Sequence, residues 1–302
     1  MNDTSPTFEV MAPIIYADIA VTAMSVLAFI LLMTLLPNDE TPTKPYQEHK
    51  KSFLSLAMLL RIMSVSHIGA AACEVAMNYS VTFSPFNVVQ RAIINVVQDF
   101  MTSTFQLAYL LYIWSRGCTV MKIKAKKIIP VMDAFVRFVP FFLYLQTIPD
   151  LILATNSSAW ISSDLESNLE ITGFALTAIT AFLIIAFDFI LLGSFISFLR
   201  DANKVSATLK DPRLTIISQY GMASCLCGLS VVVIFVVSIL FSDTFSNQLA
   251  SVFVYVAVFG VFSAVVLMKV ALLRGRMEKG ASGSANSSAP RTAGHTVKTS
   301  TV

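Results

Sequence analysis

Long apolar stretches, each followed by a short polar segment, repeat along the chain. A membrane-crossing helix needs roughly 20 consecutive, mostly apolar residues. Seven stretches meet that length: Val10–Leu36, Ser52–Met77, Val88–Trp114, Ile128–Thr155, Leu169–Leu199, Leu214–Phe241 and Leu249–Leu273. Hydrocarbon offers no water to backbone N–H and C=O groups, and a helix satisfies them within one open segment. The pattern therefore predicts an all-α integral membrane protein. Its core is a seven-transmembrane helix bundle over 10–279, between a short tail over 1–9 and a Ser/Thr-rich tail over 280–302 that is expected to be disordered.

The segments between the stretches alternate in charge. Lys44, Lys50 and Lys51 follow the first span, and Arg116, Lys122, Lys124, Lys126 and Lys127 follow the third. Arg200, Lys204, Lys210 and Arg213 follow the fifth, and Arg274, Arg276 and Lys279 the seventh. The other segments, Met1–Glu9, Asn78–Phe86, Asn156–Asn168 and Ser242–Gln248, hold no Lys or Arg. Basic loops stay on the cytoplasmic side, so the N-terminus is expected outside and the C-terminus in the cytoplasm. Sequons at Asn2, Asn78 and Asn156 fall on the expected outer side and are candidate glycosylation sites. Met1–Glu9 is polar and acidic, so the first span is expected to serve as its own targeting signal.

Composition removes several functional classes. The chain has 302 residues, 56% hydrophobic and only 13% charged, against about a quarter charged in soluble domains. A net charge of +3 gives no basis for bulk nucleic-acid binding. Three histidines, His49, His67 and His295, lie far apart, and only His67 falls within a span, so no metal site is expected. The last span has its lysine, Lys269, near the cytoplasmic end rather than at its middle, which argues against a retinal Schiff base. Phosphate-loop, CxxC and nucleophile-elbow motifs are absent. No cofactor and no reaction are assigned.

Ionisable residues inside spans are costly and usually face the bundle interior. In the third span Arg91, Asn95, Gln98, Asp99, Thr102 and Gln106 recur every three or four residues, which places them on one stripe roughly 100° wide. That span is expected to be central. Depth along the spans suggests three layers. Glu74 and Arg91 form a candidate outer ion pair. His67 and Asp99 lie near the midplane and, with Asn95, Gln98, Thr102 and Gln106, make a candidate ligand site. Arg61, Asp133, Arg137 and Asp188 form a candidate inner polar network. Asp133 and Arg137, four apart, are placed to pair along one helix.

Seven spans, an outer N-terminus, short loops, a basic inner face and a Ser/Thr-rich tail resemble a G-protein-coupled receptor. Phe53-Leu-Ser-Leu-Ala57 is similar to the Leu-rich start of the second span in rhodopsin-like receptors, with Leu60 where those carry an acid. Ser115-Arg116-Gly117 stands where such receptors have acid-Arg-aromatic, and Asp99 lies 17 residues earlier, near the carboxylate of amine receptors. The sixth span reads Cys225-Leu-Cys-Gly228 in place of Cys-Trp-x-Pro, and the seventh lacks Asn-Pro-x-x-Tyr. The resemblance implies a divergent receptor-like protein of the plasma membrane or an endomembrane. Its implied partners are the lipid bilayer, an unknown small ligand and a cytoplasmic signalling protein such as a G protein. The alternatives are a small seven-span transporter, for which the first span has Pro13 near its start and the fourth has Pro140 and Pro149 while the second, fifth and sixth have no proline, and a membrane scaffold without ligand.

Overall fold

Helix is the only extended regular structure among the described residues, which in this computed structural model are 8–35, 55–82, 86–155, 163–204, 212–240 and 244–286. The helices are α1 (Phe8–Leu35), α2 (Leu56–Thr82), α3 (Val88–Lys124), α4 (Ile129–Leu145), α5 (Thr147–Thr155), α6 (Ser163–Lys204), α7 (Pro212–Leu240) and α8 (Thr244–Asn286), with a 3₁₀ turn at Lys126–Ile128. Six segments are long and apolar enough to cross a membrane: Ala12–Thr34, Leu56–Ser80, Lys126–Thr155, Ser167–Asp201, Arg213–Ile234 and Leu249–Arg274. The protein is a multi-pass membrane protein built for a lipid bilayer.

Local chemistry sets the helix ends. Asn87 caps α3: its side-chain oxygen accepts from the Gln90 backbone N–H at 2.8 Å, and the Gln90 side chain accepts from the Asn87 N–H at 3.1 Å. This reciprocal box satisfies two of the N–H groups that a helix start leaves unpaired. Pro212 opens α7, where its missing N–H costs nothing. Pro149 explains the interruption of the fourth predicted span at Gln146. Proline cannot donate to the carbonyl four residues earlier, that of Leu145, and its ring crowds that carbonyl. The chain therefore ends α4 at Leu145 and restarts as α5.

The seven predicted stretches all form helices, but the third differs from the rest. Helix α3 is 37 residues long, roughly 55 Å at the usual rise, and is too polar to count among the six apolar spans. It packs on α2, α4, α5, α6 and α7. From Phe105 to Trp114 it is buried on nearly all sides, with Tyr112 and Ile113 at 0% and 1% exposure, inside one apolar cluster. Met63, Leu143, Phe187, Phe195 and Phe262 fill that cluster from the surrounding helices. In the other half of α3 the exposed large apolar side chains are Val89, Ile93, Val97 and Phe100, a stripe at steps of three or four, with Gln90 and Arg91 exposed in the first turn. Helix α6 begins at Ser163, inside the segment expected as an outer loop, and α8 runs to Asn286, past the Gly280 start of the expected tail.

Candidate functional site

In the less tightly packed half of α3 a cavity of about 490 Å³ opens between α2, α3, α6, α7 and α8. Its size is within the usual range for small-molecule sites, about 300–1,000 Å³. Helix α2 contributes His67, Ala70 and Glu74, and α3 contributes Gln98, Asp99, Thr102, Phe105, Gln106 and Tyr109. Asp188 of α6 and Gly228 of α7 form the far end, and valines of α7 and α8 make an apolar wall. Among the described residues three carboxylic side chains line the cavity and no Lys or Arg does.

Each acid is held differently. Glu74 accepts from Gln98 Nε2 at 2.7 Å and from Asn78 Nδ2 at 3.4 Å. Gln98 Nε2 also donates to Tyr255 Oη at 2.9 Å, and that hydroxyl donates to the Ala70 carbonyl at 3.4 Å. Asn78 donates at 2.7 Å to Asp18 of α1, whose other oxygen is buried without a partner among the described residues. A continuous polar chain thus ties α1, α2, α3 and α8 together beside the cavity. At the far end Tyr109 Oη donates to Asp188 at 3.1 Å, and Cys225 Sγ donates to the same oxygen at 3.9 Å. Gly228 makes this possible: a Cβ there would lie 2.9 Å from Asp188 Oδ2.

Asp99 has a second acid for a neighbour, Asp150 of α5. The helix break positions the second acid. Gln146, buried at the break, donates to Ser103 Oγ at 2.7 Å, and Ser103 donates to the Leu143 carbonyl at 2.7 Å. A carbonyl near the α4 end and the break residue itself are thus both held by one α3 serine.

Two buried polar atoms belonging to cavity residues have no hydrogen-bond partner among the described residues: His67 Nε2 and Gln106 Oε1. The His67 ring sits among Phe105, Tyr255, Phe259 and Phe262, with centroid distances from 5.6 to 6.4 Å. Unpaired buried polar groups are rare in folded proteins and mark places where a further group can bond.

The cavity gathers five of the six residues expected in the ligand site, His67, Gln98, Asp99, Thr102 and Gln106; Asn95 does not line it. The outer ion pair does not form. Arg91 stands exposed in the first turn of α3, while Glu74 turns inward to Gln98 and Asn78. The inner network is also dispersed. Trp114 Nε1 donates to Asp133 at 2.9 Å, giving this acid a partner from α3, and Arg137 is exposed on α4 without an ion pair to it. Asp188 is answered by Tyr109 and belongs to the cavity. Helix α2, which carries Arg61, packs on α1, α3 and α8, with no close backbone approach to α4 or α6 among the described residues. Spacing along one helix brings charges onto one face, but it does not say which neighbour reaches them first.

Asn78 is a further correction. It is 3% exposed, inside α2, with its amide nitrogen bonded to Asp18, so this sequon is closed to glycosylation in the folded protein. Asn2 and Asn156 lie outside the described residues. Sequence reasoning passed over Asp150, Tyr109 and the Ser103–Gln146 link. Pro149 was the available signal for the break that brings Asp150 to Asp99. Tyr109 gave none, because a tyrosine among apolar residues reads as core. Compared with protein-family models, curated proteins and solved structures, the chain matches none of them.

Proposed function

We propose that the protein is a seven-span, receptor-like membrane protein that takes a small cationic ligand in the cavity beside α3 and passes the signal to a cytoplasmic partner. In this reading α3 is the seventh span, the N-terminus is outside and the C-terminus is in the cytoplasm. The exposed Val89–Phe100 stripe of α3 supports the span, since it offers lipid an apolar face while the opposite side lines the cavity. Basic loops on alternate sides support the orientation.

One observation carries the ligand. Among the described residues the cavity has three acids, no Lys or Arg, and two buried polar atoms without partners. An ammonium group has donors for Asp99 and for Gln106 Oε1, and its positive charge suits a cavity lined by acids. An apolar body fits against the valines of α7 and α8. The ligand then bridges α3 to α6, α7 and α8, the helices whose far ends carry the basic segments. Such a bridge couples two sites only if the ligand binds one arrangement of these helices more tightly than another.

The break at Gln146 favours a second reading, a transporter, because interrupted helices often frame transport sites. Purified protein in vesicles separates the two when small amines, sugars and amino acids are screened for both binding and flux. The receptor reading expects saturable amine binding, weakened at least tenfold by Asp99→Asn, no flux, and sensitivity to guanine nucleotides in cell membranes. Amine flux that Asp99→Asn abolishes, with no nucleotide effect, would replace it with the transporter.

A further inference from the structure

The opposite end of the bundle holds a second, smaller cavity of about 100 Å³, lined by Arg116 of α3, Arg213 and Ile217 of α7, and Lys269, Leu272 and Leu273 of α8. Three basic side chains from three helices converge there, and no acid is among the described lining residues. Basic residues near helix ends commonly do no more than fix orientation, and the lysines of the adjoining turn, Lys126 and Lys127, are exposed in that way. The cavity residues are arranged differently. Arg116 is half-buried, its guanidinium carbon stands 5.9 Å from the centre of the Tyr112 ring, and its Nε is buried with no hydrogen-bond partner among the described residues. Stacking on a ring leaves the edge of the guanidinium fork free to donate, which suits a planar or tetrahedral oxyanion. Desolvating an arginine nitrogen without an acceptor is costly, so a group that brings oxygens to this cavity gains affinity from it. The space exceeds that of one water, whose share of the liquid is about 30 Å³. The apolar floor of Ile217, Leu272 and Leu273 restricts entry to a compact anion or to a headgroup whose chains stay in lipid.

We propose that Arg116, Arg213 and Lys269 form an oxyanion site for a phosphate group, supplied either by an anionic lipid headgroup or by a soluble phosphate. Because the site joins α3 to α7 and α8, occupancy fixes the relative positions of three helices that also wall the acidic cavity. The proposal requires neither a ligand in that cavity nor a signalling role.

The test uses the full-length protein in nanodiscs of phosphatidylcholine. Two probes are added separately: inorganic phosphate in the buffer, and phosphatidylinositol 4-phosphate in the bilayer. Bound lipid is counted by native mass spectrometry, and both probes are followed by the thermal unfolding midpoint, which a native-state ligand raises saturably. Binding of at least one probe is expected. Arg116→Gln and Lys269→Gln should each weaken it at least about tenfold, the scale for losing a charge-assisted bond. Arg116→Lys should retain part of it, and the double variant Lys126→Gln with Lys127→Gln should match wild type. A response to both probes assigns recognition to the phosphate itself, and a response to the lipid alone assigns it to the headgroup in its membrane. Should Arg116→Gln fail to fold, Lys269→Gln and the lysine pair still decide the matter. Absence of binding by either probe, or an equal loss in the Lys126 and Lys127 pair, overturns the site and leaves a diffuse basic surface.

Discussion

Helices α3, α7 and α8 wall two cavities, one toward each end of the bundle, and the two cavities are lined by residues of opposite charge. The larger holds Glu74, Asp99 and Asp188 with no basic side chain, and the smaller holds Arg116, Arg213 and Lys269 with no acid. Between them Leu110 to Trp114 of α3 pack among the aromatic and aliphatic side chains of one apolar cluster. One helix therefore has three successive environments along its length: a hollow polar one, a filled apolar one and a small basic one. The contrast teaches that the spacing of charge along α3, and not only its hydrophobicity, organises the fold. Asp99 and Arg116 are close to five turns apart, too far to neutralise each other, and each is left to a local set of partners.

The strongest way to break the contrast is to put a cation into the acidic cavity. Asp188 is 1% exposed and accepts from Tyr109 and Cys225. Asp188→Arg removes that acceptor and buries a charge with donors facing it, at a cost of about 3–5 kcal/mol. The expected result is a large fall in the unfolding midpoint of detergent-purified protein and little correctly folded material. Asp188→Asn, which keeps the shape and an accepting oxygen, should lose no more than about 1–2 kcal/mol.

A second substitution sharpens the contrast without touching an acid. Gly228→Ala places a Cβ 2.9 Å from Asp188 Oδ2, so the carboxylate must move off Tyr109. Amine binding should weaken about tenfold, equivalent to about 1.4 kcal/mol. Gly193 is the control, since a Cβ there meets nothing within 4 Å. Gly193→Ala should leave binding unchanged and stabilise α6 by up to about 1 kcal/mol, the usual gain for alanine over glycine in a helix. Equal effects at both glycines would show that helix propensity, not the Asp188 carboxylate, explains the change.

The smallest expected effect concerns the polar chain beside the cavity. Asn78 serves Asp18 and Glu74 and is buried, so Asn78→Gln should produce no change in electrophoretic mass. Its longer side chain should cost about 1 kcal/mol in stability through poorer hydrogen-bond geometry. A loss of mass on deglycosylation that disappears in this variant would show that Asn78 carries a glycan and is not in the buried position described here.

Much of this architecture was legible in the chain. Apolar length gave the helices, and the three-to-four residue step from Gln98 to Gln106 gave the face of α3 that lines the cavity. What the sequence did not disclose were partners across helices. Glu74 and Arg91 flank one loop and have opposite charge, yet Gln98 reaches Glu74 first. Asp133 and Arg137 are spaced for an intrahelical pair, yet Trp114 donates to the acid from α3. Such choices depend on how helices are rotated against one another, which a single helix's periodicity leaves open. The Asp99–Asp150 contact depends in addition on a backbone break whose direction Pro149 does not specify.

The receptor reading requires that the two cavities open toward opposite sides of a membrane, which holds only if α3 crosses it. The direct measurement is labelling of single cysteines introduced at the two ends of α3. Val89→Cys sits at the exposed start of α3 and Lys126→Cys in the exposed turn that follows it. Each is compared with wild type to subtract the native thiols, using a maleimide that cannot cross membranes. If α3 spans the bilayer with the N-terminus outside, Val89→Cys labels on intact cells and Lys126→Cys labels only after permeabilisation. Labelling of both positions from the same side would contradict the account, because α3 would then not cross the membrane and the acidic and basic cavities would share one face.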